Sequence, residues 1–353
     1  MKARITNSML RDILEIEKNK DRLNTISIPH HLSNQFRKNT KKRSSYASNK
    51  IEGNPLTFLQ AEKAIDSSSR HFLKPEQEIR NYYLALDLLE RKLSANSPIT
   101  MDLLLEVQKQ ICEGESKEKI GLRGAMPPGV LFAVWNENGT PAYIPPEWQE
   151  VPSLLNFLFD YLSSSDDHPL LKAAILHYEI VTIHPFEEGN GRTARILSSY
   201  YLSLTGYGFK SIGSLEEYMS YNIEEYYDSI QMGLPILYYD GRNDPPHPEI
   251  WLEYFLKIFR LYSSKVLEVA SEADGKIEAE RMSHLSRQAK SFLEYLGKHH
   301  ILSFSPAEIA KERKVSNRTI INWSSELVRN GYLSPVITNK RIRKYQVLDD
   351  KSM

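Results

Sequence analysis

Twelve residues in the middle of the chain combine side chains that could bind a polyphosphate with one that could accept a proton. The segment runs from His184 to Arg195 and reads HPFEEGNGRTAR. Glycines at positions 189 and 191 allow backbone conformations that other residues avoid, so the N–H groups of this turn can converge on an anion. A helix that begins near Arg192 would add unpaired N–H groups and the positive end of its dipole. The segment therefore predicts a phosphate-binding turn.

The charged side chains of this segment indicate the chemistry. Arg192 and Arg195 are three residues apart, so on a helix they share a face and can reach the same multiply charged anion. Glu188 offers a hard oxygen ligand for Mg²⁺, an ion that usually keeps waters beside phosphate oxygens. His184 has a pKa suited to accepting a proton near neutral pH. Taken singly, the histidine could simply cap a helix and the two arginines could lie on a solvated helix face. Their combination in one segment favours a polyphosphate-binding site.

In this order the residues resemble the Fic family signature, His-Pro-Phe-x-Asp/Glu-Gly-Asn-Gly-Arg-x-x-Arg, at every specified position. The resemblance extends over residues 49–256 and implies transfer of AMP from ATP to a Ser, Thr or Tyr hydroxyl of a target protein. It implies that His184 is the general base, that Phe186 anchors the loop in the core and that Glu188 binds Mg²⁺.

The same resemblance implies the contacts to ATP. Gly189, Asn190 and Gly191 match the anion hole for the α- and β-phosphates, and Arg192 and Arg195 match the arginines of the β- and γ-phosphates. Relatives that phosphorylate their targets carry Lys at the position of Gly191, so this chain resembles the AMP transferases.

An upstream segment resembles the inhibitory motif of Fic proteins, Ser/Thr-x-x-x-Glu-Gly/Asn. The matching residues are Ser48, Glu52 and Gly53, within an expected inhibitory helix at about 44–54. Ser48 and Glu52 are four apart and share a helix face. The resemblance implies that Glu52 pairs with Arg195 in the place of the γ-phosphate. An ordinary helix end before a glycine is the alternative interpretation.

Two further features resemble parts of Fic proteins. Apolar runs at 130–134 and 142–144 around a Gly-containing turn predict a β-hairpin, and the stretch 130–144 resembles the flap on which a target segment docks by strand pairing. Tyr226 and Tyr227 match an aromatic pair whose second member lies against adenine, although helix packing would also explain them. Leu234 stands where some relatives place an asparagine at the base.

Periodicity along the chain indicates the elements that must position these residues. The spacing of apolar residues predicts a mainly α-helical protein, with a largely apolar helix at 171–180 buried centrally. We expect a helical N-terminal region at 1–115, a catalytic core at 116–269 and a linker at 270–285, a polar stretch that would also fit an exposed helix. Two helices, a tight turn and a basic hairpin predict a winged helix-turn-helix at 286–353.

The amino-acid composition limits which kinds of partner the chain is expected to bind. The 353 residues contain 45 Lys plus Arg and 45 Asp plus Glu, so no global charge directs the chain to nucleic acid or a membrane. A single cysteine and the lack of a long apolar run predict a cytoplasmic protein without a membrane partner. Nine Lys or Arg against three Glu over 305–345 leave open a DNA or protein partner for the winged helix, or a homodimer. A DNA-binding regulator and a de-AMPylating enzyme are the alternative functions.

Overall fold

The fold is described from a computed structural model that covers residues 5–135, 139–232, 245, 247–338 and 341–348. It divides into two compact units. The first comprises the chain up to residue 24 together with 29–268, and the second comprises 25–28 and the chain from 269 onward.

The first unit is almost entirely helical, as the periodicity predicts. Its helices are α1 (Asn7–Thr25), α2 (His30–Ile51), α3 (Phe58–Asp66), α4 (Lys74–Ser94), α5 (Met101–Ile111), α6 (Val151–Ser164), α7 (Pro169–Ile183), α8 (Asn190–Leu204), α9 (Leu215–Tyr221), α10 (Ile223–Gln231) and the part of α11 (Pro248–Ser283) up to residue 268; the rest of α11 belongs to the second unit. Short 3₁₀ turns lie at Lys117–Lys119 and Phe209–Ser211.

Helix α7 forms the centre of this unit. Twelve of its fifteen residues are buried, which agrees with the predicted central helix. Apolar side chains of α5, such as Leu104 and Val107, share one core cluster with Leu176 and Phe186. Because this core joins both sides of position 115, the predicted boundary between residues 1–115 and 116–269 does not separate compact units.

The predicted hairpin is present but its strands are shorter than expected. Strand β1 (Val134–Trp135) pairs antiparallel with β2 (Pro141–Tyr143), and residues 136–138 between them lie outside the described part of the chain. Residues 130–133 do not join the ladder. The Val130 N–H closes a turn on the Pro127 carbonyl at 3.0 Å, and the Phe132 ring packs 4.6 Å from the Arg123 guanidinium, which directs this stretch away from β2.

The second unit is smaller and has its own core. It contains α12 (Arg287–Lys298), β3 (Ser303–Phe304), α13 (Pro306–Arg313), α14 (Asn317–Arg329), β4 (Leu333–Thr338) and β5 (Arg341–Val347). The three strands form an antiparallel sheet in the order β3-β5-β4. Phe292, Ile320, Leu327 and Tyr345 are fully buried within it. The tip of the predicted basic hairpin, residues 339–340, lies outside the described residues.

The stretch predicted as a linker or an exposed helix at 270–285 is helical for most of its length, because α11 continues to Ser283. Its sequence contains Ala, Glu, Lys and Arg, which favour helix strongly enough to outweigh the single Gly275. Across the described ranges, no helix combines the length and apolarity that a membrane span requires.

Candidate active site

The predicted general base lies at the end of the central helix. His184 caps α7 in a left-handed conformation with a φ of 48°, and its N–H donates to the Ile180 carbonyl at 3.1 Å. Its Nδ1 lies 3.1 Å from the Val181 carbonyl. Because a carbonyl only accepts, Nδ1 carries the proton and Nε2 keeps a free lone pair. Burial, assisted by the positive charge of Arg123, lowers the pKa of His184 to about 4. The imidazole is therefore neutral at physiological pH.

The loop after His184 is held by one asparagine side chain. The Phe186 N–H donates to Asn190 Oδ1 at 3.0 Å, and Asn190 Nδ2 donates to the Phe186 carbonyl at 2.8 Å. Phe186 is fully buried, as expected for an anchor. Asn190, predicted to bind the nucleotide, thus uses its side chain to shape the loop, which leaves its backbone N–H to face an anion.

The turn between this loop and α8 requires glycine. Gly189 has a φ of 85° and a Cβ there would approach Cys112 Sγ to 2.9 Å. The first intrahelical bond of α8 runs from the Thr193 N–H to the Gly189 carbonyl at 2.8 Å. The N–H groups of residues 190–192 therefore precede that bond and point out of the helix end, where they can bind phosphate oxygens.

Arg195 is buried and already has a carboxylate partner. Its Nη2 donates to Glu52 Oε1 at 2.6 Å and to the Ser48 carbonyl at 3.0 Å, while Nε donates to Ser48 Oγ at 2.9 Å. Burial opposes both charges, but the pairing prevails. It lowers the pKa of Glu52 and raises that of Arg195 relative to their usual values. The structure thus brings together Ser48, Glu52 and Arg195, which are far apart in sequence.

Two glycines give the Glu52 carboxylate its position. Glu52 is the C-cap of α2, and Gly53 follows it with a φ of 81°, which ends the helix there. Opposite, Gly191 lies in the first turn of α8, and a Cβ at this position would overlap Glu52 Oε1. The carboxylate therefore occupies the N-terminal turn of α8, where the sequence predicts phosphate.

Arg192 retains hydrogen-bonding capacity inside the site. It is buried and its Nη1 donates to Asn49 Oδ1 at 3.4 Å. Its buried Nε has no hydrogen-bond partner among the described residues. A buried guanidinium with an unused donor is costly without a ligand, so this atom favours an anion beside it. Sequence reasoning missed Asn49, which lies directly after Ser48 in the motif.

Glu188 is the candidate Mg²⁺ ligand. Its side chain is 38% exposed and accepts a hydrogen bond from Lys119 Nζ at 3.0 Å. The sequence did not indicate Lys119 as a partner. Within the described ranges, no group of three His, Cys, Asp or Glu residues could hold a metal. One exposed carboxylate fits Mg²⁺ that takes its other ligands from phosphates and water.

The two tyrosines have different surroundings. Tyr226 is only 1% exposed; its hydroxyl accepts from Arg195 Nη1 at 3.3 Å and lies 2.8 Å from His177 Nε2. The Tyr226 ring packs against His177 and Trp251 in this conformation, and its contact with the nucleotide stays a prediction. Tyr227 is 48% exposed and its hydroxyl donates to the Ile51 carbonyl at 3.2 Å, at the end of α2. Leu234 lies outside the described residues.

The comparisons with known proteins fit this geometry. Residues 98–202 match the sequence model of the Fic/DOC family. This segment is a Fic domain. It contains the whole of 184–195, whereas α2 and α10 lie outside the match.

Similar proteins extend the Fic resemblance beyond the matched segment. "Protein adenylyltransferase Fic" of Nematostella vectensis is 28% identical over 172 residues, which are 46% of this chain and 37% of that protein. The protein of the same name from Drosophila willistoni is 30% identical over 171 residues, 46% of this chain and 32% of its own. The chain thus spans about a third of the length of these curated relatives.

Solved structures support the fold. A Fic family protein from Desulfovibrio desulfuricans G20 is similar over 99% of both chains, with a TM-score of 0.60 at 20% identity. Fic-1 from C. elegans is similar over 75% of this chain and 73% of its own, with a TM-score of 0.57 at 21% identity. The mainly α-helical Fic core with a small hairpin is therefore confirmed.

Proposed function

We propose that the chain is a protein adenylyltransferase that moves AMP from ATP onto a Ser, Thr or Tyr hydroxyl of a target protein. One observation carries this proposal. The neutral His184, with its proton on Nδ1, stands at the start of a loop whose other end presents the free N–H groups of α8. A base and an anion-binding turn in one short loop suit the attack of a hydroxyl on a phosphate. The names of the relatives point in the same direction.

The proposed reaction follows from these positions. The target hydroxyl gives its proton to His184 Nε2 as its oxygen forms a bond to the α-phosphorus, and the bond to the β-phosphate oxygen breaks to release pyrophosphate. The N–H groups of 190–192 and the Arg192 and Arg195 guanidinium groups hold the charge of the phosphates. Glu188 would hold Mg²⁺, which neutralises phosphate charge when bound.

We further propose that α2 inhibits this reaction. Glu52 uses the Arg195 donor that the γ-phosphate needs, and its carboxylate lies on the first turn of α8. ATP that binds beside this carboxylate would place its α-phosphorus out of line for attack. The same carboxylate could instead position a water for removal of AMP, so the net direction is part of the test.

The hairpin is the proposed docking place for the target. Val130, Leu131 and Trp135 are about half exposed, and the neighbouring Phe132 ring lies 6.0 Å from the His184 ring. An extended target segment laid along this apolar edge would bring a hydroxyl close to the base.

The test uses ATP labelled on the α-phosphate, with cell extract as the source of targets. Wild type, Glu52→Gly and the double variant Glu52→Gly/His184→Ala are compared by autoradiography and mass spectrometry. We expect labelled proteins with Glu52→Gly and none with the double variant or with Mg²⁺ chelated. Loss of label from a purified modified target faster than its gain would establish the de-AMPylating alternative. Label that persists without His184 would refute the proposed reaction.

A second function is proposed for the second unit, as a winged helix that binds DNA. The observation that favours it is that one face of α14 is exposed and has no acidic side chain. This face carries Arg318, Asn322, Ser325 and Arg329. Its one acidic residue, Glu326, instead accepts bonds from Ser286 at the start of α12. Arginine and asparagine on one helix face are suited to phosphates and base edges.

Gel shifts at several salt concentrations test this second function. We expect Arg318→Ala to weaken DNA binding and lower the slope of log affinity against log salt by about one. Lys298→Ala removes an exposed positive charge on α12 and serves as the control. The absence of a salt-dependent shift in the wild type would refute DNA binding and favour a protein partner for this unit.

The cytoplasm is the proposed location. The only cysteine, Cys112, is buried and burial raises the pKa of its thiol to about 11, so it remains a protonated thiol. A chain without a possible internal disulfide suits a reducing compartment. Fractionation of cells that express the tagged protein would check this.

A further inference from the structure

The first turn of α9 contains a buried carboxylate that the proposed reaction does not use. Glu216 is 2% exposed. Its oxygens accept hydrogen bonds from four hydroxyl groups that come from different parts of the first unit. They are Tyr82 at 3.3 Å, Ser199 at 3.0 Å, Ser44 at 3.0 Å and Ser214 at 2.9 Å. The carboxylate thus connects α2, α4 and α8 to the beginning of α9.

The Ser44 bond continues the contact through which α2 reaches the active site. Every fourth residue along α2, from 44 to 52, faces every fourth residue along α8. Because the two helices run in opposite directions here, the α8 positions descend from 199 to 191. The pairs are Ser44 and Ser199 through Glu216, Ser48 and Arg195 directly, and Glu52 against Gly191 and Arg195. Residues four apart on a helix lie one above the other on the same face, so these contacts share one register. A shift of α2 at Ser44 would move Glu52 as well.

Helix α2 has few apolar contacts to resist such a shift. Of its seven buried residues only Ala47 and Ile51 are apolar. An open cavity of about 130 Å³ lies beside the middle of α2, with Thr40 and Ser44 on one wall and Glu216 on another. Elements with little buried apolar surface open at low free energy, so single polar contacts matter more here than in the central core.

From these observations we infer that Glu216 is a positioning residue for inhibition, because it fixes the register of α2 and thereby the position of Glu52. This inference rests on the proposed inhibition of adenylyl transfer by Glu52. Glu216 lies away from the phosphate turn, and its effect passes through Ser44 and the helix.

The informative change is Glu216→Gln. Glutamine has the same shape but replaces one acceptor oxygen with a donor group, so two of the four hydroxyls would face an N–H group where they now donate to an oxygen. These hydroxyls must turn to accept from the amide and give up the bonds that they now donate to the carboxylate, which destabilises the arrangement that buries them. We therefore expect α2 to separate from α8 more often, which frees Arg195 for ATP.

A matched control lies at the next position. Glu217 also joins α9 to α2, through Arg43 Nη1 at 3.2 Å, but the Arg43 side chain is 53% exposed. Exposed ion pairs contribute little to stability. Glu217→Gln therefore tests whether any change in the contact between α9 and α2 is enough to increase labelling.

The experiment measures self-labelling by α-labelled ATP with Mg²⁺ for the full chain in two backgrounds, wild type and Glu52→Gly. We expect Glu216→Gln to increase labelling about fivefold or more in the wild type, the lower end of typical coupling between sites. It should add nothing in the Glu52→Gly background, and Glu217→Gln should change neither. An equal increase in both backgrounds would overturn the inference, because Glu216 would then act on the catalytic core.

Hydrogen exchange separates failure of this inference from failure of the proposed inhibition. Amide protons of residues 44–52 should exchange faster in Glu216→Gln than in Glu217→Gln or wild type. If Glu52→Gly itself fails to increase labelling, the proposed inhibition is wrong. Faster exchange at 44–52 would in that case still support Glu216 as the anchor of α2. Unchanged exchange at 44–52 would overturn the role of Glu216, whatever the labelling shows.

Discussion

The most informative perturbation is Glu52→Gly, which removes the carboxylate that Arg195 binds at 2.6 Å. A hydrogen bond to a charged group contributes about 1.5–3 kcal/mol. The Arg195 side chain is 1% exposed, but that of Glu52 is 37% exposed, so solvent weakens the pair and the lower value applies. Because about 1.4 kcal/mol corresponds to a factor of ten, the productive fraction of bound ATP should rise about tenfold.

The assay is the initial rate of self-labelling with α-labelled ATP at saturating ATP and Mg²⁺. Two variants calibrate it. Glu52→Gln keeps the shape and loses the charge, so its rate should lie between those of wild type and Glu52→Gly. Lys50→Gly places a glycine in the same turn at an exposed position and should lower the stability of α2 by about 1 kcal/mol without touching Arg195.

The rates of these variants can also refute the reasoning. If Lys50→Gly accelerates labelling as much as Glu52→Gly, general loosening of α2 is the cause and the ion pair is not. If folded Glu52→Gly labels no faster than wild type at saturating ATP, Glu52 only ends the helix. Thermal unfolding of each variant establishes that the compared proteins are folded.

Three further results are expected. His184→Ala should reduce transfer about 10²–10⁴-fold with ATP affinity nearly unchanged, measured by labelling and calorimetry, because the base acts in the transition state. Since the pKa of His184 is lowered to about 4, the Glu52→Gly enzyme should keep its kcat/KM as pH falls through 6.5 and lose it only near pH 4; a fall centred at 6.5 would contradict the buried neutral imidazole. Arg195→Ala should stay inactive when combined with Glu52→Gly, and an active double variant would show that Arg195 serves inhibition alone.

The sequence was sufficient for the fold class, which depends on local spacing, and the members of the phosphate turn stay a prediction made from the same spacing. The positive φ of Gly189 agrees with the turn predicted from the two glycines, whereas the left-handed conformation of His184 was not predicted. Neither the tautomer of His184 nor the use of the Asn190 side chain could be predicted, because both depend on which carbonyls the folded loop brings within reach. The burial of Tyr226 against Trp251 could not be predicted either, because it depends on a helix 25 residues further along the chain.

Glu216 shows the limit of sequence reasoning more clearly. In the sequence it stands two residues after Ser214, which is an ordinary pattern for the start of a helix. Its hydroxyl partners come from positions 44, 82 and 199, and no local spacing links them. Likewise, the polarity of 270–285 fitted either a linker or an exposed helix, and only the structure shows that α11 continues through most of this stretch.

Gly191 links two traits that would otherwise be free to vary separately. The first turn of α8 accommodates the Glu52 carboxylate only because no side chain projects there. A descendant of this chain that acquired Lys at 191, as in the phosphorylating relatives, would expel that carboxylate in the same step. The transferred group would therefore change and the proposed inhibition by Glu52 would be lost in one substitution. A chain with both the lysine and an inhibitory Glu52 would need α2 in a different position.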